Sequence, residues 1–495
     1  MTSPVQSIIT ASEAETRQLA QDIALVLQPG DLVFLSGDLG SGKSVMARAM
    51  VRFLAGDENL EVPSPTYTIA QTYDAALAVT HYDLYRLQGI DELDELGWSE
   101  QLESGCLIME WPERCFDEPP DEAVRITIET RDENQRALSF SGNAGFLDRI
   151  ARSLEIRSFL NEAGHPGATR RFLSGDASTR SYEFINGDEF LLMNSPQRPD
   201  GPVVRDGKPY SEIAHLAEDV SAFVAIDTIL RDHHISAPKI HAVDLGSGLL
   251  LTEYLGPDGI VDTKGNPDRE RYMASVELLA QMHQSDFPET VETAALDEPY
   301  TIPAYDAGAM MIEVELLTEW YVKHEARRDC DIDAFKAIWN DLFRRLEAGP
   351  KTLVLRDYHS PNIIWLEGRE GTGRVGVIDF QDAVIGPEAY DIASLAQDAR
   401  VDIPLGLENA LVDHYVSIRK AGDTAFDEAG FREAYAIMAA QRATKILGIF
   451  IRLDVRDGKP GYRKHLPRIK EYLARSIRHP ALEAYRLWLE SVIEL

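Results

Sequence analysis

The sequence predicts an α/β domain built around a P-loop over residues 1–148, a short junction at 149–165, and a two-lobed α+β domain over 166–495. Three observations predict it. Gly37-Asp38-Leu39-Gly40-Ser41-Gly42-Lys43-Ser44 is a full G-x-x-x-x-G-K-[ST] loop, entered from a short apolar run and left by a helical pattern. More than three hundred residues later, Leu355-Arg356-Asp357-Tyr358-His359-Ser360-Pro361-Asn362 and Ile378-Asp379-Phe380 carry a second phosphate-handling pattern, of a kind that works without a P-loop. Between the two, the hydrophobic period changes: strands and helices alternate before residue 148, and long helical runs dominate after 268. One nucleotide site does not need both signatures, so the chain reads as two enzymes in series.

The elements follow in order. Glu13 to Gln28 has helical spacing and ends at Pro29-Gly30. Asp31–Ser36 is a short apolar strand entering the P-loop, and Val45–Leu54 is the helix whose N-terminus faces phosphate. Strand-like runs follow at 66–72, 77–83, 106–110 and 124–130, which predicts a sheet with the P-loop at one edge of its carboxyl ends. Residues 138–147 read as a last strand and turn, and Arg149 to Ala163 resumes helical spacing. From about 165 to 200 strands dominate, then helix and strand alternate to Leu255; this is the small lobe, 166–255, with Thr252–Gly256 as the hinge to a helical lobe, 256–495. Ile363–Leu366 and Arg374–Ile378 read as two strands flanking the second motif.

A P-loop binds phosphate because successive backbone N–H groups point at its oxygens beside a helix N-terminus, and glycine is needed where a Cβ would block the approach. That assigns Gly37, Asp38, Gly40, Ser41, Gly42, Lys43 and Ser44 to ATP, with Lys43 reaching the β- and γ-phosphates and Ser44 holding Mg²⁺. Three further segments accompany the loop: Pro63-Ser64-Pro65-Thr66-Tyr67-Thr68, His81-Tyr82-Asp83-Leu84-Tyr85-Arg86 and Met109-Glu110-Trp111-Pro112-Glu113. With it, in this order and spacing, they resemble the TsaE (YjeE) family over residues 1 to about 147. The resemblance implies an ATPase subunit of the machinery that makes threonylcarbamoyladenosine in tRNA, partnered by TsaD- and TsaB-like subunits. It implies Ser44 and Glu110 as the Mg²⁺ sphere and Asp83 as the residue that positions water or metal. Thr66 falls in a switch-like segment, and Trp111 is placed either beside the active centre or in the core. The family more often has Thr where Ser44 stands, and either hydroxyl ligates Mg²⁺.

In a kinase-type site one Asp orients the attacking hydroxyl and accepts its proton, an Asn five residues later holds Mg²⁺, and an Asp on the next strand pair ligates the metal bridging the phosphates. Asp357, Asn362 and Asp379 have that order and spacing. Leu355 in place of His, Phe380-Gln381-Asp382 in place of Phe-Gly, and no Ala-Pro-Glu segment make this similar to the aminoglycoside-phosphotransferase variant of the protein-kinase-like fold. Gly175-Asp176-Ala177-Ser178-Thr179-Arg180 stands at the phosphate-covering turn, which places Gly175 and Ser178 at ATP. With Tyr390–Leu395, Gln441–Phe450 and Arg452-Leu453, these residues resemble the AmgK group, anomeric kinases of N-acetylmuramate and N-acetylglucosamine that serve cell-wall recycling. Met193 stands where many relatives place a nucleotide-binding Lys, and Arg180 or Lys208 are candidates to replace it. His359 is expected to make a structural hydrogen bond, and Asp391 to brace the helical lobe. A kinase of an aminoglycoside or other small alcohol, and a non-catalytic nucleotide-binding tether for the tRNA-modification complex, remain open beside the sugar kinase.

The chain has 82 Asp and Glu against 49 Lys and Arg, a net charge of −33, so direct nucleic-acid binding is not expected. Three cysteines without metal spacing, no signal-type N-terminus and no long apolar run predict a cytoplasmic protein with reduced thiols.

Overall fold

The computed structural model describes residues 7–173, 180–197 and 201–494. By compactness the chain divides into residues 1–192 and 193–495. The first unit begins with β1 (Ser7–Thr10), α1 (Glu13–Ala24), β2 (Leu32–Ser36) and α2 (Lys43–Ala55). Then come β3 (Ala70–Tyr73), β4 (Val79–Asp83), α3 (Ile90–Asp94), α4 (Trp98–Ser104), β5 (Cys106–Glu110), β6 (Ala123–Thr130), β7 (Arg136–Gly142) and α5 (Ala144–Glu162). Ser12 caps α1 by accepting the Glu15 N–H, while the Glu15 carboxylate takes the Ala11 N–H.

The sheet runs β1-β7-β6-β2-β5-β4-β3. β2 is parallel to both β5 and β6, so the P-loop strand is central rather than at the edge the sequence suggested. A central parallel strand is buried on both faces and carries no alternation. Val33 and Leu35 pack with Ile23 of α1, Met46 and Met50 of α2 and Ile150 of α5, while Leu32 and Phe34 pack with Tyr82, Leu107 and Met109 on the other face. Register places Asp83 opposite Glu110, and Glu110 opposite Leu35, at the carboxyl ends. The expected strand at 66–72 begins only at Ala70, after a turn closed by Ile69 N–H on Pro65 O.

α5 starts earlier than its spacing suggested. Asn143 accepts the Phe146 N–H as N-cap, and the helix runs unbroken through the expected junction to Glu162. β8 (Arg170–Leu173) and β9 (Ser181–Ile185) form an antiparallel pair beyond it, continued by β10 (Phe190–Asn194), within which the division falls.

The second unit opens with the pair β11 (Val203–Arg205) and β12 (Lys208–Pro209), then α6 (Tyr210–Ile213), α7 (Ser221–Asp232) and the hairpin β13 (Ile240–Asp244)–β14 (Leu249–Glu253). α8 (Arg269–Met282), the short pair β15 (Thr290–Val291)–β16 (Tyr300–Thr301), α9 (Ala307–Leu316) and α10 (Ile332–Glu347) follow, with a π-helical stretch from Leu317 to Ala326 after α9. β17 (Lys351–Val354), β18 (Ile363–Trp365), β19 (Val375–Val377) and β20 (Val384–Pro387) form two antiparallel pairs, β17–β20 and β18–β19, which frame the second motif. Five helices close the chain: α11 (Ala389–Ala396), α12 (Leu405–Gly422), α13 (Glu428–Val455), α14 (Leu466–Ser476) and α15 (Glu483–Val492). α13 passes so close to the end of α9 that a Cβ on Gly448 would lie 2.3 Å from the Leu316 backbone, which requires glycine there. Among the described residues no helix is long and apolar enough to cross a membrane.

Candidate active sites

The first site lies where β2, β4 and β5 end. Gly37 has φ 142°, and a Cβ on it would meet the Ile128 carbonyl at 2.4 Å, so only glycine lets the loop turn there. Gly42 caps α2 with φ 113°; Asp38, Leu39 and Gly40 are exposed, and Ser41 is buried with its hydroxyl unpartnered. Lys43 donates to the Gly37 and Asp38 carbonyls at 2.7 and 2.8 Å, with its ammonium 3.6 Å from the centre of the Trp111 ring. Burial lowers the Lys43 pKa, while Glu110, Glu113, Asp38 and Asp83 oppose the change. Trp111 is therefore a cover on the P-loop lysine, not a core residue.

Ser44 Oγ donates to Glu110 Oε2 at 2.8 Å, so the two expected Mg²⁺ groups are in contact. Asp83 accepts from Ser64 Oγ at 2.8 Å and Thr66 Oγ1 at 2.9 Å through one oxygen, and from the Tyr85 N–H through the other. Two participants were missed as individual residues. His81 is 1% exposed and its Nε2 lies 2.9 Å from Glu110 Oε1, fixing the far side of that carboxylate. Arg136 of β7 donates from Nε to the Ser41 carbonyl at 2.9 Å, holding the loop from a strand ninety-five residues away. His81 stood inside a motif that was read for its Asp; nothing local marked Arg136.

The second site is a loop between β17 and β18. Asp357 follows Arg356, whose φ is 65°, and the Leu355 and Arg356 N–H groups both donate to the Asp391 carboxylate, at 2.7 and 3.0 Å. Asp391 thus braces the catalytic loop itself; burial pushes its carboxyl up to about 7, against the pull of those two N–H bonds. The Ser360 N–H donates to Asp398 at 2.7 Å and Tyr358 OH donates to the Ser275 carbonyl at 2.9 Å, pinning the far end. Asn362 Nδ2 donates to the Asp357 carbonyl at 3.0 Å and lies 3.4 Å from Asp379 Oδ2; Gln381 Nε2 donates to Asp379 Oδ1 at 2.9 Å. Asn362 therefore touches both the Asp357 backbone and the Asp379 carboxylate, which brings the three residues to one place. The carboxylate and amide pair Asp379–Asn362, like Glu110–Ser44, offers the few oxygen ligands that Mg²⁺ takes when phosphates and water complete its sphere. Among the described residues no cluster of three His, Cys, Asp or Glu side chains forms a closed metal cage.

The Arg356 side chain runs away from the loop to Glu313 of α9, which is fully buried and also accepts from Lys445 at 2.7 Å, Gln441 at 2.9 Å and the Tyr305 hydroxyl. His359 does not make the expected side-chain bond: its Nδ1 is buried without a partner, burial lowers its pKa, and its backbone makes the loop's hydrogen bonds. Met193 is buried, and Lys208 pairs with Glu212 on the surface. Gly175 and Ser178 lie outside the described residues.

Comparison with known proteins sorts the two sites. Residues 10–138 match the family "Threonylcarbamoyl adenosine biosynthesis protein TsaE", and residues 169–432 match the "Phosphotransferase enzyme family". The N-acetylmuramate/N-acetylglucosamine kinase of Caulobacter vibrioides is 33% identical over 68% of this chain and 95% of its own length. That of Pseudomonas putida is 34% identical over 64% of this chain and 86% of its own. The tRNA threonylcarbamoyladenosine biosynthesis protein TsaE of Rickettsia conorii is 39% identical over 27% of this chain and 75% of its own.

Proposed function

Because the chain belongs to the TsaE family through residues 10–138 and to the phosphotransferase enzyme family through residues 169–432, we propose that it joins two ATP-using enzymes. The first is an ATPase subunit for threonylcarbamoyladenosine synthesis on tRNA, acting with TsaD- and TsaB-like partners. The second phosphorylates the anomeric hydroxyl of N-acetylmuramate or N-acetylglucosamine. Both activities place it in the cytoplasm. The observation that carries the second reading is Asn362 bridging the Asp357 backbone and the Asp379 carboxylate, in a chain that is 33% identical to such a kinase over 68% of its length.

In the kinase, the sugar hydroxyl attacks the γ-phosphorus of ATP in line with the bond to ADP. Asp357 accepts a hydrogen bond from that hydroxyl and takes its proton as the new P–O bond forms and ADP leaves. Asn362 and Asp379 would hold Mg²⁺, which supplies positive charge against the phosphate oxygens. Asp391 keeps the loop in register while this occurs, so most of the rate comes from positioning and charge complementarity. In the P-loop module, Lys43 exchanges its two backbone carbonyls for phosphate oxygens, and Asp83 orients the attacking water.

The test is phosphate transfer from labelled ATP by the full-length protein to N-acetylmuramate, N-acetylglucosamine and a panel of aminoglycosides. An acid-labile sugar 1-phosphate, lost in Asp357→Asn and kept in Lys43→Ala, is expected. Transfer to aminoglycosides alone, or to nothing while ATP still binds, overturns the sugar-kinase reading.

A further inference from the structure

One buried polar cluster serves neither site directly. Asp22 of α1 is 2% exposed and accepts from Arg157 Nε and Nη2 at 2.8 and 2.7 Å, and from Arg170 Nη1 at 3.0 Å. Arg170, which opens β8, grips Glu183 of β9 with two parallel bonds, Nε to Oε2 at 2.7 Å and Nη2 to Oε1 at 3.0 Å. Its Nη1 also donates to the Ser153 carbonyl at 2.8 Å, and Ser153 Oγ donates to the Asp22 carbonyl at 2.7 Å. Arg157 Nη1 donates to the Ala168 carbonyl at 2.7 Å, which ties the turn before β8 to α5. Asp22 lies within the TsaE-matched segment, Arg170 and Glu183 within the phosphotransferase-matched segment, and all of them within the unit 1–192.

Two carboxylates face two guanidinium groups, so the cluster is neutral, and forked pairs on both Asp22 and Glu183 leave few donors idle. Surface ion pairs of long side chains are commonplace and weak. A buried forked pair is different. It costs desolvation and adds little net stability over apolar packing, but removing one partner leaves a buried charge unpaired, and its forked geometry is met here by one placement of the elements it joins. Here the elements are α1, α5, β8 and β9. The far face of α1 packs Leu19, Ala20 and Ile23 against Met46, Ala47 and Met50 of α2, the helix that begins with Lys43 and Ser44. The kinase segment's first strand pair is thus laid on a helix whose own position is set by the P-loop helix.

We propose that the P-loop module is a structural part of the kinase: the Asp22–Arg170–Glu183 anchor sets the β8–β9 pair and, through it, the kinase's affinity for ATP. This rests on reading residues 169–432 as the kinase, whose first strand pair flanks in sequence the two residues, Gly175 and Ser178, assigned to ATP above. Asp22, Arg157 and Arg170 are positioning residues; none of them belongs to either set of reacting groups. The arrangement makes the fusion more than a tether, because a kinase cut free of α1 would lose one of the two helices that hold its first strand pair.

The experiment uses the full-length protein carrying Asp22→Asn, with Asp22→Glu as the conservative rescue. Sugar phosphate formation is followed against ATP and against acceptor. The expected result is a KM for ATP raised about tenfold, as a small misplacement of a binding element produces. The KM for acceptor at saturating ATP stays within about twofold, and Asp22→Glu recovers most of the loss. Amide hydrogen exchange in β8 and β9 rises in Asp22→Asn, while that of α13 does not. An unchanged KM for ATP overturns the proposal, whether or not exchange rises. Should Asp22→Asn not fold, Arg157→Gln removes one cation from Asp22 while keeping both Arg170 pairs, and a rise of about two- to threefold in the same KM is expected; no rise overturns the proposal. A parent protein that phosphorylates no sugar defeats the kinase reading alone. The anchor is then judged by the dissociation constant for ATP in a Lys43→Ala background, where Asp22→Asn must weaken binding.

Discussion

Removing the charge of Glu313 tests whether the catalytic loop is held from behind by a buried ion network. Glu313 is fully buried and takes bonds from Arg356, Lys445, Gln441 and Tyr305. Burial alone would push its carboxyl up, but the charges of Lys445 and Arg356 outweigh that and hold it at about 2, against an ordinary 4.5. A difference of that size corresponds to about 3 kcal/mol in favour of the folded state near neutrality. Breaking one partner out of a buried pair independently gives about 3–5 kcal/mol, because Arg356 and Lys445 would be left facing each other without an anion. Glu313→Gln keeps the shape and removes the charge. By calorimetry at pH 7 its kinase-unit transition falls by roughly 5–8 °C. The pH dependence carries the sign. A carboxyl whose folded pKa is depressed contributes stability that is complete above about 4.5 and is lost as pH falls toward about 2. The gap between parent and variant therefore closes on acidification through that window. Sugar phosphorylation falls as well, by about a hundredfold, since Arg356 adjoins Asp357 and is displaced with its partner. A transition within about 2 °C of the parent at pH 7, or a gap that stays constant from pH 6 to pH 3, would refute the reasoning.

Two more perturbations separate the sites. His81→Ala frees one side of Glu110 and is expected to cut P-loop ATP hydrolysis by about 10–100-fold, as loss of a partner behind a metal ligand does, with sugar phosphorylation unchanged. Gly448→Ala drives a methyl group into the Leu316 backbone, so α13 must shift off α9; a loss of about 1–3 kcal/mol in the same calorimetric transition is expected, with nucleotide binding at the P-loop unaffected.

Both motifs were legible because their chemistry is local in sequence. A P-loop needs a strand, a turn and a helix in succession, and Gly37 to Ser44 supply them. Asp357, Asn362 and Asp379 sit on one loop and one strand pair, β18–β19, whose two apolar runs were visible. Sheet order was not legible. That β2 is central depends on β6 and β7 returning on one side and β5 and β4 on the other, and these long-range pairings leave no mark in the β2 run itself. Buried charges were the second blind spot. Asp22, Arg170, Glu183, Glu313 and Arg356 read as surface residues in any polar/apolar pattern, yet each is buried and each is ion-paired to a residue of another element. The helical period found α5 but could not say that one of its polar positions, Arg157, faces Asp22 instead of water.

Backbone strain completes the account of how the carboxylates are aimed. Left-handed conformation is ordinary for Asn, Asp or His and uncommon for bulky or β-branched residues. Four residues of the latter kind adopt it among those described: Ile69, Trp111, Arg327 and Arg356. Three adjoin a carboxylate of the two candidate sites. Ile69 offers its carbonyl to the Asp83 N–H at 2.9 Å, Trp111 follows Glu110 directly, and Arg356 precedes Asp357. Each is held by something stronger than its own preference: Ile69 by the turn onto Pro65, Trp111 by its N–H bond to Leu35 and its contact with Lys43, Arg356 by Asp391 and Glu313. Such strain persists only where the surroundings over-determine it. Its clustering here means that the P-loop module and the kinase loop, unrelated in fold, share one device: the chain turns sharply beside Asp83, Glu110 and Asp357, and partners on neighbouring elements keep it turned.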